Sequence, residues 1–277
     1  APMDTVITAY RCHGFALSRG ATVRQVIAEL LGRATGVSHG KGGSMHMFAE
    51  RFFGGNGIVG AQVPVGAGLA LAHRLRADGG VAFSFYGDGA ANQGQVAEAH
   101  NMAALWRLPA VFVVENNEYS MGTAAGRGSA STDFYRRAGD MLPGFRASGM
   151  DVLAVAAAMK HAREYAAEKG PLVVELQTYR YHGHSMSDPG TSYRSRDEVA
   201  RVRAERDPIK ALQGVLVAAG LVESGGSDTL FKDLERQVRA AVDAQVEQAK
   251  GDPGPDPADF WTHVYTGGQY SGRECLI

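Results

Sequence analysis

Residues 81–117 read VAFSFYGDGAANQGQVAEAHNMAALWRLPAVFVVENN, and this stretch decides the fold class. Residues 81–86 and 110–114 are short, continuously apolar runs, as expected of strands buried on both faces of a parallel sheet. Residues 93–107 between them follow helical spacing, and Pro109 prevents that helix from continuing. A strand, a helix and a strand in this order predict a right-handed βαβ unit.

Polar residues follow both predicted strands. Gly87-Asp88-Gly89 ends the first strand, and Asn116-Asn117 ends the second. Ligands of open parallel sheets bind beyond the carboxyl ends of the strands, so both motifs should reach one place. Their carboxylate and amide oxygens suit Mg²⁺ or Ca²⁺, while the glycines and a helix opening near Asn92 suit a diphosphate. Either motif alone would describe a turn; the pair favours a cation–diphosphate site.

Two other phosphate-binding motifs fail on particular residues. A dinucleotide fingerprint starting at Gly87 would require glycine at position 92, where the chain has Asn92. A P-loop around Gly40-Lys41 would require glycine at position 35 and serine or threonine at position 42, where Thr35 and Gly42 stand. The chain is therefore not predicted to bind nucleotides through either motif.

The rest of the chain predicts an α/β fold, a parallel sheet with helices on both faces and a helical C-terminal extension. The whole chain, 1–277, reads as one cofactor-binding domain, of which 197–277 forms the extension and tail. A proline-rich tail after Gly251 is expected to run extended over the surface. Further helices are predicted at 22–32, 61–77, 152–168, 197–220 and 228–249, a third strand at 172–176, and a polar loop at 183–196.

Composition narrows the function. With 277 residues, 45% of them hydrophobic, the chain can build a substantial core. A net charge of −1 provides no basic field for nucleic acid or a membrane surface, and no apolar run approaches the roughly 20 residues of a membrane span. Cys12 and Cys275 lie near opposite ends, which favours a reducing compartment. The start has no signal-peptide pattern, and we expect processing or truncation there.

The paired motifs resemble the thiamine diphosphate motif, and the resemblance extends over residues 8–210. This part of the chain is similar to the E1 α subunits of thiamine diphosphate-dependent 2-oxo acid dehydrogenases of the pyruvate type. Branched-chain members are expected to differ in two of the matching segments, whereas acetoin dehydrogenase α subunits remain an alternative. The matching segments are YRCHG (10–14), GKGGSMHM (40–47), GGNGIVGAQ (54–62), GDGAANQG (87–94) and YRYHGHSMSDPG (179–190).

The resemblance implies particular roles for residues of this chain. Asp88, Asn117 and the carbonyl of Tyr119 would bind Mg²⁺, and His184 would be catalytic, stabilising charged intermediates or passing protons. Thiamine diphosphate would be contacted by Tyr10, Arg11, Ala49, Gly57, Val59, Asp88, Gly89, Ala90, Asn117 and His184.

Five other histidines are not expected to act at the site. His182 and His184 alternate along an extended segment, so only one faces the site, and His184 is preferred. Loop hydrogen bonds are predicted for His13 and His46, and surface positions for His39 and His73. Without cysteine or acidic partners at metal-binding spacing, no zinc site is predicted.

The resemblance also implies partners. A β subunit would supply the glutamate that activates the cofactor, in an α₂β₂ heterotetramer, and the acyl group formed from pyruvate would pass to a lipoyl domain of E2. The mitochondrial matrix is expected, with the bacterial cytoplasm as the alternative. A kinase and phosphatase could act on Ser185 and Ser192, whereas a third position carries Ala124. Two other classes stay open: a non-catalytic interaction subunit, and a dinucleotide-binding reductase, which Asn92 disfavours.

Overall fold

The computed structural model of the protein describes residues 3–222 and 227–263, apart from the side chains of residues 227 and 228. Cys275 and the predicted tail at 267–277 lie outside the described residues.

A six-stranded parallel sheet forms the centre of the structure, in the order β2-β1-β3-β4-β8-β7. This architecture confirms the α/β fold class. Its strands are β1 (Thr5–Ala9), β2 (Phe52–Asn56), β3 (Ala82–Gly87), β4 (Ala110–Asn116), β7 (Gly144–Ser148) and β8 (Leu172–Gln177). A separate hairpin is formed by two strands of two residues each, β5 (Tyr119–Ser120) and β6 (Thr123–Ala124).

The predicted βαβ unit is present as β3, α4 (Gly94–Leu105) and β4. The two strands pair in parallel from Ala82 opposite Ala110 to Gly87 opposite Glu115. Because this register leaves no stagger at the carboxyl ends, Asp88 and the two asparagines that follow Glu115 emerge beside each other. The strand pairing alone therefore brings the two motifs to one edge of the sheet.

Helices cover both faces of the sheet. One face packs Tyr86, Phe112 and Val114 against α3 (Gln62–Arg76) and α4. The opposite face packs Val111, Val113 and other residues against α6 (Val152–Lys169). The smaller helices towards the amino end are α1 (His13–Ser18) and α2 (Val23–Leu30), and a single turn, α5 (Ala125–Gly128), follows β6.

Three strands of the main sheet were missing from the sequence-based prediction. The strands β1, β2 and β7 read TVITA, FFGGN and GFRAS, and none is a continuous apolar run. The outer strands β2 and β7 form the sheet's edges, where the apolar runs of a doubly covered strand are not required. Only their pairing with β1 and β8 identifies them as strands.

The predicted helix over 197–220 is wrong as a single element. It is two helices, α7 (Arg196–Arg206) and α8 (Pro208–Ala218), because Asp207 adopts an extended conformation and caps α8 with its carboxylate. The last described helix is α9 (Ser227–Gly251), which packs against α2. The tail is also not extended throughout, since Pro257–Trp261 forms a 3₁₀ helix. No helix in the described ranges has the length and apolar character needed to cross a membrane.

Candidate active site

A cavity of about 350 Å³ lies at the carboxyl edge of the sheet, beyond the ends of β1, β3 and β4. Its walls include most of the residues that the sequence predicts for the site, namely Tyr10, Arg11, Val59, Asp88, Gly89, Ala90, Asn117, Tyr119 and His184. The cavity does not include Ala49 or Gly57. Ala49 instead bridges to Phe52 beside β2, and Gly57 faces the ring of His46.

The Asp88 carboxylate lies at the floor of the cavity, with only 2% of the residue exposed. Burial raises its pKa, against the lowering effects of the Ser120 hydroxyl, nearby backbone N–H groups and the Arg180 charge. Ser120 donates a hydrogen bond of 2.7 Å to Oδ2 of Asp88. Because a buried carboxylate is costly to keep charged, a bound cation would stabilise this group.

The turn after β4 supplies the other oxygen atoms. Its Asn117 Oδ1 accepts a hydrogen bond of 3.3 Å from the backbone N–H of Tyr119. The Tyr119 carbonyl accepts a hydrogen bond of 2.9 Å from Arg180 Nη1 and retains a second lone pair. Glu118 and Met121 adopt positive φ angles of 71° and 54°, which non-glycine residues rarely do. A strained turn next to hard oxygen ligands is typical of a binding site.

Arg11, Tyr10 and His184 form one cluster on the cavity wall. Arg11 donates a hydrogen bond of 3.1 Å to the Tyr10 hydroxyl and another to the backbone carbonyl of His184. The rings of Tyr10 and His184 meet edge to face, with centroids 5.7 Å apart. The guanidinium is thus fixed at the end of β1, where it can bind an anion.

The surroundings of the His184 imidazole favour its neutral form. Its pKa is lowered mainly by burial, and then by the charges of Arg11 and Arg180. Nδ1 of this ring is buried and has no hydrogen-bond partner among the described residues. The position of His182 differs, because it lines a separate surface cavity within the 181–199 segment. The preference for His184 over His182 agrees with this geometry.

Other cavity residues were missed by sequence reasoning. Gln62 is 1% exposed, and its Nε2 donates a hydrogen bond of 3.1 Å to the Phe85 carbonyl. Its Oε1 atom is buried and has no hydrogen-bond partner among the described residues. Arg180 links the turn to the next loop, since it also donates to the Met121 carbonyl and the Tyr193 hydroxyl. Both lie in segments that carried the family resemblance, but only the fold shows which side chains face inward. Further lining residues are Ala9, Asn56, Gly60, Gly87, Ser120 and Met121.

The loop after β8 is held in shape by the side chain of Asp188. Its carboxylate accepts hydrogen bonds from the backbone N–H groups of His184 (2.7 Å) and Gly190 (2.8 Å) and from the Tyr193 hydroxyl (2.7 Å). These bonds lower the pKa of Asp188 to about 2. Ser185 and Ser192 are both exposed on this loop.

The predictions for His13 and His39 agree with the structure. His46 is exposed, and its hydrogen bond is accepted by its backbone carbonyl from the Ser38 hydroxyl rather than formed by its ring. Nε2 of His13 lies 3.1 Å from the Ser44 hydroxyl, and His39 is exposed. The predicted surface position of His73 is wrong, because only 4% of it is exposed and its ring contacts Thr5 and Asp78. Helical spacing turns this residue towards β1, which sequence reasoning had not identified as a strand. No group of three His, Cys, Asp or Glu residues suited to a metal occurs in the described part of the chain.

The fold is α/β, and the cavity at the carboxyl edge of its sheet brings together a buried carboxylate, oxygen acceptors and an arginine, an arrangement that suits an anionic cofactor and a cation. The model of the dehydrogenase E1 component family matches residues 1–258. Similar proteins include the mitochondrial "pyruvate dehydrogenase E1 component subunit alpha, somatic form" of Bos taurus, 52% identical over 265 residues. The protein of the same name from Homo sapiens is 52% identical to the chain. The mitochondrial "pyruvate dehydrogenase E1 component subunit alpha" of Saccharomyces cerevisiae is 54% identical.

The chain belongs to the dehydrogenase E1 component family, and this family is thiamine diphosphate-dependent. The alignments cover 95%, 96% and 92% of the chain for the bovine, human and yeast relatives. They cover 67% of the length of both mammalian relatives and 60% of the yeast relative. The family predicted from the sequence is confirmed.

Proposed function

We propose that the chain is the α subunit of a pyruvate dehydrogenase E1. The reaction is the oxidative decarboxylation of pyruvate, with acetyl transfer to the lipoyl group of E2, so that the full complex forms acetyl-CoA. One observation carries the proposal: the buried Asp88, the strained turn at 117–121 and the cluster around Arg11 line a single cavity. The names of the relatives support pyruvate over acetoin as the substrate.

The residues of the cavity fit thiamine diphosphate and Mg²⁺. Asp88, Asn117 and the Tyr119 carbonyl offer only oxygen atoms, the ligands that Mg²⁺ prefers. Gly89 belongs to the fit, since a Cβ there would lie 2.2 Å from the Ser120 hydroxyl that holds Asp88. The unpartnered buried atoms of Gln62 and His184 offer further polar contacts for a bound molecule. A reductase that uses a dinucleotide is disfavoured, because Asn92 replaces a required glycine.

Each residue has a distinct role in this proposal. Asp88, Asn117 and the Tyr119 carbonyl would hold Mg²⁺, and Arg11 and Tyr10 would contact the diphosphate of the cofactor. When bound, the cofactor would supply the carbanion and electron-sink chemistry that decarboxylation of a 2-oxo acid requires. His184, whose pKa is lowered by burial and by two arginines, would exchange protons or stabilise charge at the reacting centre. Val59, Gly89 and Ala90 shape the cavity around the cofactor.

The site is proposed to be completed by a β subunit, in an α₂β₂ heterotetramer that delivers its acetyl group to the lipoyl domain of E2. Exposed apolar residues adjoin the cavity, including Val59 (49% exposed), Ile58 (74%) and Met121 (62%). Such a patch suits a protein partner. The mitochondrial names of the relatives support the matrix over a bacterial cytoplasm as the compartment.

Ser185 and Ser192 are proposed as sites for a regulatory kinase and phosphatase. Both are exposed, and Ser185 directly follows His184. A phosphate adds about −1.5 to −2 charges, which at Ser185 would repel a diphosphate or an acidic substrate. We expect Ser185→Glu in the assembled enzyme to abolish decarboxylation while circular dichroism stays unchanged, and Ser192→Glu to act more weakly. Full activity in both the Ser185→Glu variant and a stoichiometrically phosphorylated sample would refute the switch.

The decisive experiment is co-expression of the chain with a β subunit, followed by decarboxylation assays with thiamine diphosphate and Mg²⁺. Pyruvate, acetoin and branched 2-oxo acids are compared as substrates. The proposal expects pyruvate to be preferred, and chelation of the metal to remove activity. Binding of thiamine diphosphate without turnover of any substrate would instead indicate a non-catalytic interaction subunit.

A further inference from the structure

We propose that Glu198, which lies on α7 outside the cavity, is a positioning residue for the cation site. It acts by holding the turn at 117–121, through the hydroxyl group of Tyr119. The inference rests on the proposed function, because the Tyr119 carbonyl and the Asn117 side chain are the metal ligands proposed above.

The contact joins three elements. Oε1 of Glu198 accepts hydrogen bonds from the hydroxyls of Tyr119 (2.9 Å) and Tyr179 (2.7 Å). Tyr119 follows the carboxyl end of β4, and Tyr179 follows the carboxyl end of the neighbouring β8. One carboxylate on α7 therefore holds together the chain segments that leave two adjacent strands beside the cavity.

The position of Glu198 in its helix argues that this contact has a specific purpose. Residues 195–198 read SRDE, with Ser195 as the N-cap of α7 and Glu198 three residues later. In a capping box the glutamate side chain would bond back to the backbone N–H of the cap. Here the Ser195 hydroxyl accepts from the Glu198 N–H at 3.1 Å, but the Glu198 carboxylate bonds to the two tyrosines instead. The second hydrogen bond of a capping box, from the cap's backbone N–H to the Glu198 carboxylate, is thus replaced by the contact with the turn.

A buried arginine fixes the two tyrosines on their other side. Arg194 is 7% exposed, and its guanidinium lies 5.5 Å from the ring centre of Tyr119 and 5.4 Å from that of Tyr179. It also donates hydrogen bonds to the backbone carbonyls of Arg180 and His182. Burial, followed by Glu198, raises the pKa of Tyr179 to about 12, so its hydroxyl remains a donor. An edge-to-face contact with Tyr179, the guanidinium of Arg194 and the shared Glu198 acceptor leave the Tyr119 side chain little freedom.

The turn needs such support because its backbone is strained. Glu118 and Met121 have positive φ angles, and the β5–β6 hairpin, which includes Tyr119 and Ser120, is only two residues long on each side. Conformations of this kind are unfavourable for residues other than glycine and persist only where surrounding contacts enforce them. A second contact from α7 to the turn is the ion pair of Arg206 with Glu118 at 3.5 Å. Both side chains are exposed, so this pair should stabilise the turn only slightly.

The test uses the assembled α/β complex, with Mg²⁺ titrated calorimetrically at saturating thiamine diphosphate. Glu198→Ala should weaken apparent Mg²⁺ affinity by about 10-fold or more, as losses of outer-shell partners do. Glu198→Gln keeps an acceptor oxygen and should restore affinity to within about 3-fold of wild type. Tyr119→Phe should match Glu198→Ala, and the double variant should lose no more than either single variant. Arg206→Ala is the matched control and should change affinity less than about 2-fold.

A second readout does not depend on the metal. Amide hydrogen exchange at residues 117–121 should accelerate in Glu198→Ala and Tyr119→Phe, and remain unchanged in Glu198→Gln. Wild-type affinity and wild-type exchange in Glu198→Ala would overturn the inference while the proposed function stands. If wild type itself fails to bind Mg²⁺, the proposed function fails, and the inference that Glu198 positions a cation site is overturned with it. If Glu198→Ala does not fold, Tyr119→Phe takes its place: weakened Mg²⁺ affinity in Tyr119→Phe beside near-wild-type affinity in Glu198→Gln supports the inference, and wild-type affinity in both overturns it.

Discussion

The two edges of the sheet use similar side chains in opposite ways. At the amino edge, His73 lies between Thr5 (3.1 Å) and Asp78 (2.8 Å), and Asp78 also accepts from the Gly80 N–H. At the carboxyl edge, His184 leaves buried Nδ1 without a partner among the described residues. One histidine is fully satisfied within the protein, whereas the other retains an unused buried nitrogen beside a cavity.

This difference separates structural from functional polar groups. A threonine, a histidine and a carboxylate in a row resemble a catalytic triad, but Thr5 is 5% exposed and His73 is 4% exposed. No substrate could reach that hydroxyl. Internal satisfaction of both ring nitrogens indicates a structural role, and unpaired buried groups at a cavity indicate a ligand.

The largest expected effect tests the carboxyl edge. Asp88→Ala should weaken Mg²⁺-dependent binding of thiamine diphosphate by about 1,000-fold or more, because it removes a direct metal ligand rather than an outer-shell partner. Calorimetry of the α/β complex measures the affinity, and circular dichroism monitors the fold. Unchanged cofactor affinity would refute the assignment of Asp88.

The corresponding change at the amino edge should affect stability alone. His73→Ala removes two buried hydrogen bonds and leaves a cavity, and we expect a loss of about 3 kcal/mol in the free energy of unfolding. Urea denaturation measures this loss, and Lys160→Ala at an exposed position of α6 serves as the control, within about 0.5 kcal/mol of wild type. A defect in cofactor affinity without a loss of stability would contradict the contrast between the edges.

A third histidine, His100, lies between the two edges and should make stability depend on pH. It is 3% exposed, packs 4.6 Å from the Phe112 ring, and burial lowers its pKa to about 4. Since the unfolded chain binds this proton at about pH 6.5, the contribution to stability is complete above that pH and is lost on acidification towards pH 4. Unfolding at pH 5 should be easier than at pH 7 by about 2 kcal/mol.

The variant His100→Phe should remove most of that difference between pH 5 and pH 7. Urea denaturation of both proteins at the two pH values provides the measurement. An unchanged pH dependence in the variant would mean that other groups dominate the acid response.

The smallest effect is expected for Arg74→Ala at the amino edge. Arg74 lies in the last turn of α3, where its charge complements the negative end of the helix dipole. The loss should be below about 1 kcal/mol in thermal denaturation at low salt and smaller at high salt, with no change in cofactor affinity. A large loss of stability in Arg74→Ala would show that polar interactions other than the hydrogen bonds of His73 stabilise this edge.

The central βαβ unit could be predicted because its residues obey local rules. Continuous apolar runs mark β3 and β4, and the motifs at their ends lie side by side once the strands are parallel. The outer strands β2 and β7 could not be predicted in this way, since their sequences carry glycine or charge. Their identity depends on hydrogen bonds to strands far away in the sequence.

The sequence by itself determined the α/β fold class, the position of the central unit and the side chains available at its carboxyl edge. Only the tertiary structure decided that His73 is buried, that Gln62 and Arg180 face the cavity, and that Glu198 reaches the Tyr119 hydroxyl. The physical reason is that periodicity and turn chemistry act over neighbouring residues, whereas burial and polar pairing depend on elements brought together by the completed sheet.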